Sequence, residues 1–329
     1  MQRVGETGVI KKALKLYAPA TAAEEKFIEA SEVIRQAPVD GEPAFSPRQL
    51  VQCTLPHSNP GDVPVWARRN GNFTLAIVPG VDINSGKSFG YPYGTIPRLL
   101  VFWLTREVLR EKKRRIELGN TLSQFMRELG LIPASAGGGK RSDATRLKEQ
   151  MRRLFQSSIS FQWSKTDGDA VGEGWLRMPV APKGELWWDP KRPDQGTLWG
   201  SWIELGEDFF KALLDSPVPV DMRALRALKG SALALDLYVW AVWRADYATR
   251  KGEKQFMAWS SLMRQMGCNY KGKEAVKDFK HNAKATLKKV RKVYPLLKIS
   301  DVPGGFYVHP SPPAIPRRAP RRKLEGPET

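Results

Sequence analysis

The sequence predicts an α+β chain built from two tandem helix-turn-helix units, each closed by strands, and three observations predict it. The first is a repeat: residues 125–131 read FMRELGL and residues 262–268 read LMRQMGC, 137 positions apart. The second is the apolar, Trp-bearing run before each copy, TIPRLLVFWLTREVLR and SALALDLYVWAVWRADYA, with Trp103 and Trp243 at nearly the same distance before their motifs. The third lies downstream, where a polar glycine-bearing link leads to a basic segment of helical spacing, DATRLKEQMRRLF or EAVKDFKHNAKATLKKVRKVY. Apolar helix, short helix, turn and basic helix is the order of a helix-turn-helix set inside a larger domain.

Each element has its own signal. Residues 1–20 read as loosely structured, and a capping box of Thr21 and Glu24 opens a helix over 21–36. QLVQCTLPH and NFTLAIVPG read as strands separated by a Pro/Gly/Asn-rich link. After the glycine- and proline-bearing run GVDINSGKSFGYPYG comes the apolar helix from about 95 to 115. Thr121 and Gln124 cap the short helix of the first unit, and Gly130 stops it. From Asp143, Ala144, Leu147, Met151 and Leu154 form one apolar stripe, with Arg146, Lys148, Arg152 and Arg153 off it. SSISFQW, GWLRMPV, GELWWDP and GTLWGSWIEL then alternate as strands, and their Trp residues read as sheet core rather than stacking platforms.

A sheet or long hairpin directly after the second helix of a helix-turn-helix is a wing, so the unit reads as a winged helix. GEDFFKALLDS and PVPVDMRALRALKG read as two short connecting helices. The second unit starts near Ser231. In its basic helix Val276, Phe279, Ala283, Leu287, Val290 and Tyr294 form the apolar stripe, and PLLKISD with GGFYVHP forms the second wing. The expected division is an N-terminal helix/strand extension over 1–48, a first winged-helix domain over 49–205, connecting helices over 206–230, a second winged-helix domain over 231–310 and a disordered Pro/Arg tail over 311–329.

Charge points to the partner. Lys and Arg total 53 against 34 acidic residues, a net of +19, and residues 251–300 hold 13 basic and 3 acidic side chains. A cationic patch beside a helix-turn-helix favours a polyanion through release of counterions from phosphates. A 329-residue chain has room for about two domains. No apolar stretch approaches the roughly 20 residues of a membrane span, and the N-terminus lacks a secretory h-region, so a cytoplasmic protein without membrane contact is expected.

Several chemistries find no support. Cys53 and Cys268 are too few and too isolated for a disulfide framework or zinc site, and both read as structural. SGKS at 85–88 fails the P-loop pattern because Val81 stands where a glycine is needed. His57, His281 and His309 are far apart, which argues against a metal-dependent nicking nuclease and offers no Ser/His/Asp arrangement. The expectation is a DNA-binding protein that is not an enzyme and needs no cofactor or metal.

A helix-turn-helix lays its second helix in the major groove, its first residues at base edges and others at phosphates. By position, the candidates in the first unit are Lys140, Arg141, Ser142 and Arg146, followed by Arg152 and Arg153. In the second unit they are Asn269, Lys271, Lys273 and Lys277 at bases, with Lys280, Lys284, Lys288 and Arg291 along the backbone.

The blocks GYPYGTIPRLLVFWLTREVL, TLSQFMRELGL, PVDMRALRALKGSALALDLYVWAVWR and FMAWSSLMRQMGCNY resemble, in order, the plasmid-encoded RepA family of replication initiators. The resemblance spans about residues 50–315. It implies a tandem winged-helix protein that binds double-stranded DNA at repeated plasmid-origin sites (iterons), helps open adjacent A+T-rich DNA, and brings in the host replicative helicase and initiator proteins. The apolar helix over 95–115 suits core or homodimer contact equally. A winged-helix transcriptional regulator, a nucleic-acid enzyme and a protein-binding scaffold are the competing readings.

Overall fold

The computed structural model describes residues 21–37, 42–133, 142–167, 170–187 and 200–315. Two long apolar helices form its centre: α3 (Thr95–Glu111) and α8 (Ala232–Lys251). Pro97 sits in the first turn of α3, where a missing N–H costs the helix nothing. Ser231 caps α8, its Oγ accepting from the Ala234 N–H, and Gly252 ends it in the left-handed region at φ +73°. Both helices are buried on almost every side, as helices apolar all round must be. They pack on each other within one continuous apolar core that draws side chains from both repeat units.

The first two helices of the repeat start at a constant offset. Thr95 and Ala232 open the long helices, and the short helices α4 (Leu122–Glu128) and α9 (Trp259–Gln265) follow, each start offset by 137 positions. The link after the short helix is tighter in the second unit, so α5 (Asp143–Phe155) and α10 (Ala275–Val293) start 132 positions apart. The buried tryptophan that matches Trp103 is Trp240, 22 residues before its motif as Trp103 is, whereas Trp243 is half-buried beside Tyr247.

The units differ in their strands. In the second, β10 (Gln255–Ala258), β11 (Ile299–Val302) and β12 (Gly305–Val308) form one antiparallel sheet in the order β10-β12-β11, with Met257 opposite Phe306. In the first, β4 (Arg115–Glu117) pairs not with the hairpin but with β8 (Trp202–Glu204), which pairs with β7 (Lys183–Glu185). The long hairpin of β5 (Ser158–Asp167) and β6 (Ala170–Pro179) instead extends a sheet that begins with β2 (Trp66–Asn70) and β3 (Phe73–Val78), in the order β2-β3-β5-β6.

The N-terminal helix α1 (Ala22–Gln36) carries its capping box and lies across α10 and α7 (Met222–Leu228). The strand β1 (Pro43–Ser46) pairs antiparallel with β9 (Val218–Asp221), and α6 (Glu207–Leu214) packs on α3.

The structure corrects several local expectations. QLVQCTLPH is no strand: Pro47 opens the short helix α2 (Arg48–Gln52), and residues 53–57 run extended beside the second unit without joining a ladder of their own. The link after it hides β2, whose turn into β3 uses Gly71 at φ +59°; the charges of Arg68 and Arg69 masked its alternation. Residues 218–221, VPVD, form β9 rather than helix, which Pro217 and Pro219 disfavour. Val276 is 38% exposed, and Ala275 takes its place in the buried stripe. Trp175 and Trp187, expected in sheet core, are 69% and 57% exposed. Residues 311–315 do not trail away: Ser311 is buried and Tyr294 Oη donates to the Pro312 carbonyl. Residues 1–20 and 316–329, which the sequence expects to be loose, lie outside the described residues.

Candidate nucleic-acid interface

The interface has to be assembled from the helix that follows each short helix. In the first unit Ser142 is the N-cap of α5, its Oγ accepting from the Thr145 N–H at 3.2 Å. Ala144, Leu147, Met151 and Leu154 are buried as the spacing predicts, which turns Arg146 and Arg152 outward. Arg146 meets Asp143 at 3.1 Å, and Arg152 lies over the Phe89 ring at 5.5 Å. Arg153 is only partly exposed; it donates to the Tyr91 carbonyl and sits over Tyr93 at 5.2 Å, which fastens α5 to the loop before α3. Lys140 and Arg141 lie outside the described residues.

In the second unit Lys271 and Lys273 are exposed on the approach to α10, and Lys277, Lys280, Lys288 and Arg291 are exposed along it. At 100° per residue, the stripe of 277, 280, 284, 288 and 291 is centred about 120° around the helix from the buried one. One flank therefore docks on the core while the next faces solvent. Lys277 pairs with Glu274 at 2.7 Å, both well exposed. Lys284 is different: it reaches Asp301 on the β11–β12 hairpin at 2.7 Å and lies near the Trp259 ring, tying helix to hairpin. Asn269 is also committed, its Oδ1 accepting from Arg68 at 2.8 Å and its Nδ2 donating to Ser58 Oγ at 3.1 Å.

Behind these faces lies a buried ionic network that position-by-position reading did not find. Arg98 on α3 grips Asp236 on α8 with Nε to Oδ1 and Nη2 to Oδ2, both 2.7 Å. The same guanidinium donates to the carbonyls of Leu55, Pro56 and Gly94, and His57 Nε2 meets Asp236 Oδ2 at 2.7 Å. Burial alone would raise the Asp236 pKa, but the Arg98 charge and the hydrogen bonds from His57 and Arg98 hold it well below the usual carboxylate range. Burial depresses the His57 pKa against the opposing pull of Asp236, so the ring is neutral, with Nε2 donating. The signal was present in the sequence as a lone charge within the apolar run that opens each helix, Arg98 in TIPRLLVFWL and Asp236 in ALALDLYVWAVW, a pattern that demands a partner.

No group of three or more potential metal ligands occurs among the described residues, and His281 and His309 stay apart from His57. The Asp82–Gly86 turn in GVDINSG leads to no helix at Ser88. No helix among the described residues is long and apolar enough to cross a membrane. Burial pushes the Cys53 thiol up to about 12 and the Cys268 thiol up to about 11, as fits structural cysteines.

Comparison with known proteins adds three findings. No curated protein matches the chain. A crystal structure of domain 2 and domain 3 of RctB aligns with 80% of this chain and 97% of its own at 10% identity and a TM-score of 0.43, a likeness on which nothing below rests. A family model described as plasmid-encoded RepA protein matches residues 91–261, from just before α3 to the start of α9 and so across both long helices. That match takes in more than half of the 329 residues, and the chain belongs to the plasmid-encoded RepA family.

Proposed function

We propose that this chain is a plasmid replication initiator that binds directly repeated origin sites in duplex DNA through two winged-helix modules. The observation that carries the proposal is the repeated frame of long helix, short helix and basic helix, with a solvent-facing basic stripe on the third helix in each copy. Membership of the RepA family supports the initiator role. The winged-helix reading draws support from the second unit, where the strand between the first two helices joins the closing hairpin in the order β10-β12-β11. The modules are taken as residues 49–205 and 231–310, with 206–230 between them.

In this reading Lys140, Arg141, Ser142 and Arg146 face base edges in the first half-site, and Arg152 reaches the phosphates. Lys271, Lys273 and Lys277 approach bases in the second, with Lys280, Lys288 and Arg291 along the backbone. Asn269, Lys284 and Arg153 hold their elements in place. Arg can be bidentate to guanine whereas Lys acts as a point charge, so the first module discriminates more per contact. Two non-identical modules read two unlike half-sites about one turn apart, an asymmetric site of roughly 20 base pairs. The protein works in the cytoplasm, without cofactor or catalysis, by opening neighbouring A+T-rich DNA and drawing in the host helicase and initiator proteins.

Selection of duplexes from a random pool by the purified chain tests this. An asymmetric site spanning two major-groove turns supports it; palindromes alone, or no enrichment, sink it. Complementation of a plasmid carrying the origin but lacking this gene separates an initiator from a transcriptional regulator with the same DNA-binding surface.

A further inference from the structure

We propose that Arg68 is a positioning residue that clasps the turn of the second helix-turn-helix from the sheet of the first unit, and so fixes the spacing at which the two basic helices read DNA. The inference deepens the two-module reading and rests on it. Arg68 stands on β2, the edge strand of the first unit's sheet, with its guanidinium 4.6 Å from the Trp66 ring. Two of its nitrogens cross to the other unit, Nε to the Met266 carbonyl at 3.0 Å and Nη2 to the Cys268 carbonyl at 2.7 Å and to Asn269 Oδ1 at 2.8 Å, while Nη1 donates to the Ala67 carbonyl of its own strand at 3.1 Å. No carboxylate pairs with it among the described residues, so Nε and Nη2 go to backbone and amide oxygens of a turn about 200 positions away.

The segment before β2 completes the clasp. Thr54 N–H donates to the Gln265 carbonyl at 3.0 Å, Gly267 N–H to Thr54 Oγ1 at 2.7 Å, and His57 N–H to the Gly267 carbonyl at 2.7 Å. The approach is so close that a Cβ on Gly267 would lie 1.6 Å from the Leu55 carbonyl oxygen. The turn at 266–269 joins α9 to the approach to α10, so its setting governs the aim of α10. A 19-residue helix is about 28 Å long, and a swing of 10° at its root moves the far end by about 5 Å, more than the 3.4 Å rise of one base pair. The core already seats α10 on α8, α8 on α3 and α3 on α5, and the clasp adds to it by fixing the turn from which α10 sets out, and with it the fine register of one reader against the other.

The test uses the full chain and the site it selects, with and without one base pair inserted between the half-sites, and a duplex carrying the second half-site alone. Inserting one pair rotates the second half-site by about 35°, and the wild type should lose about 10²- to 10⁴-fold in affinity as simultaneous engagement fails. Arg68→Ala should shrink that penalty below about 10-fold and bind the lone half-site within about threefold of wild type, since the reading helix itself is unchanged. A full spacing penalty in Arg68→Ala, or a wild type indifferent to spacing, overturns the inference while leaving two-module binding intact.

A spin-label pair at Glu149→Cys on α5 and Lys289→Cys on α10 gives a readout without DNA: the distance distribution should broaden in Arg68→Ala, and an unchanged one overturns the clasp. Thr54→Val, a near-isosteric lesion of the same contact, should broaden it too and serves if Arg68→Ala does not fold. If the wild type selects no site at all, the two-module reading fails and the spacing role falls with it.

Discussion

Replacing Asp236 with Ala removes the only carboxylate in contact with Arg98 among the described residues. Arg98 is 3% exposed and Asp236 7%, so water cannot take over the lost contacts without opening the junction of α3 and α8. Arg98 keeps its three carbonyl acceptors, which satisfies its hydrogens but not its charge. Breaking a buried pair from one side costs about 3–5 kcal/mol, a large share of the roughly 5–15 kcal/mol that holds a typical protein folded. With a urea dependence of about 3 kcal/mol per molar, the unfolding midpoint should fall by about 1–1.7 M. Urea titration followed by tryptophan fluorescence reads this directly, because Trp240 lies one turn along the same helix. A loss below about 1 kcal/mol would refute the view that the network is closed to water. The double variant Arg98→Met/Asp236→Leu separates charge from hydrogen bonding. It should recover part of the loss but not all, since the Leu55 carbonyl then loses its Arg98 donor at about 1–3 kcal/mol if left buried, while the Pro56 carbonyl keeps the Gly94 N–H.

Four further outcomes are expected. The His57 ring protonates near 6.5 when unfolded but stays neutral to lower pH when folded, so the unfolded chain binds more protons and stability falls as pH drops below that value, by up to about 1.4 kcal/mol per unit; His57→Gln should flatten this slope in denaturant titrations. Gly267→Ala should cost about 3 kcal/mol or more, because the Leu55 backbone has no room to retreat, and a near-neutral thermal shift would contradict the close approach. Cys53 and Cys268 should resist alkylation at pH 8 in the folded chain and react together on unfolding, as buried thiols pushed up to about 12 and about 11 must. Lys280→Glu with Lys288→Glu should weaken binding to every DNA sequence and lower the salt slope by about 2; an unchanged slope would make the stripe a solvated face only.

Much of the frame was legible because its signals are local. The capping residues Thr21 and Thr121 and the stop at Gly130 depend on backbone groups within a few residues, and act as their spacing predicts. The stripes of α5 and α10 were readable for the same reason, since helical periodicity is set by one element alone. Strands fared worse. β2 carries two arginines in five residues and looks like a link until Arg68 is seen to point at another unit, and β9 pairs with a strand some 175 positions earlier. The exposed Trp175 shows the same limit: alternation gives two faces but not which one is covered.

By itself, then, the sequence determined the repeat, the order of its helices, their ends and the cationic stripe, because each follows from short-range hydrogen bonding and side-chain periodicity. Only the tertiary structure decided which candidate contact residues are spent inside the protein, since Asn269, Lys284 and Arg153 lose their freedom to partners that no local pattern identifies. It also decided how the two units are joined. Arg98 with Asp236, and Arg68 with the turn at 266–269, are contacts between residues more than 130 positions apart, and a buried charge reveals only that it needs a partner, not where in the chain that partner lies.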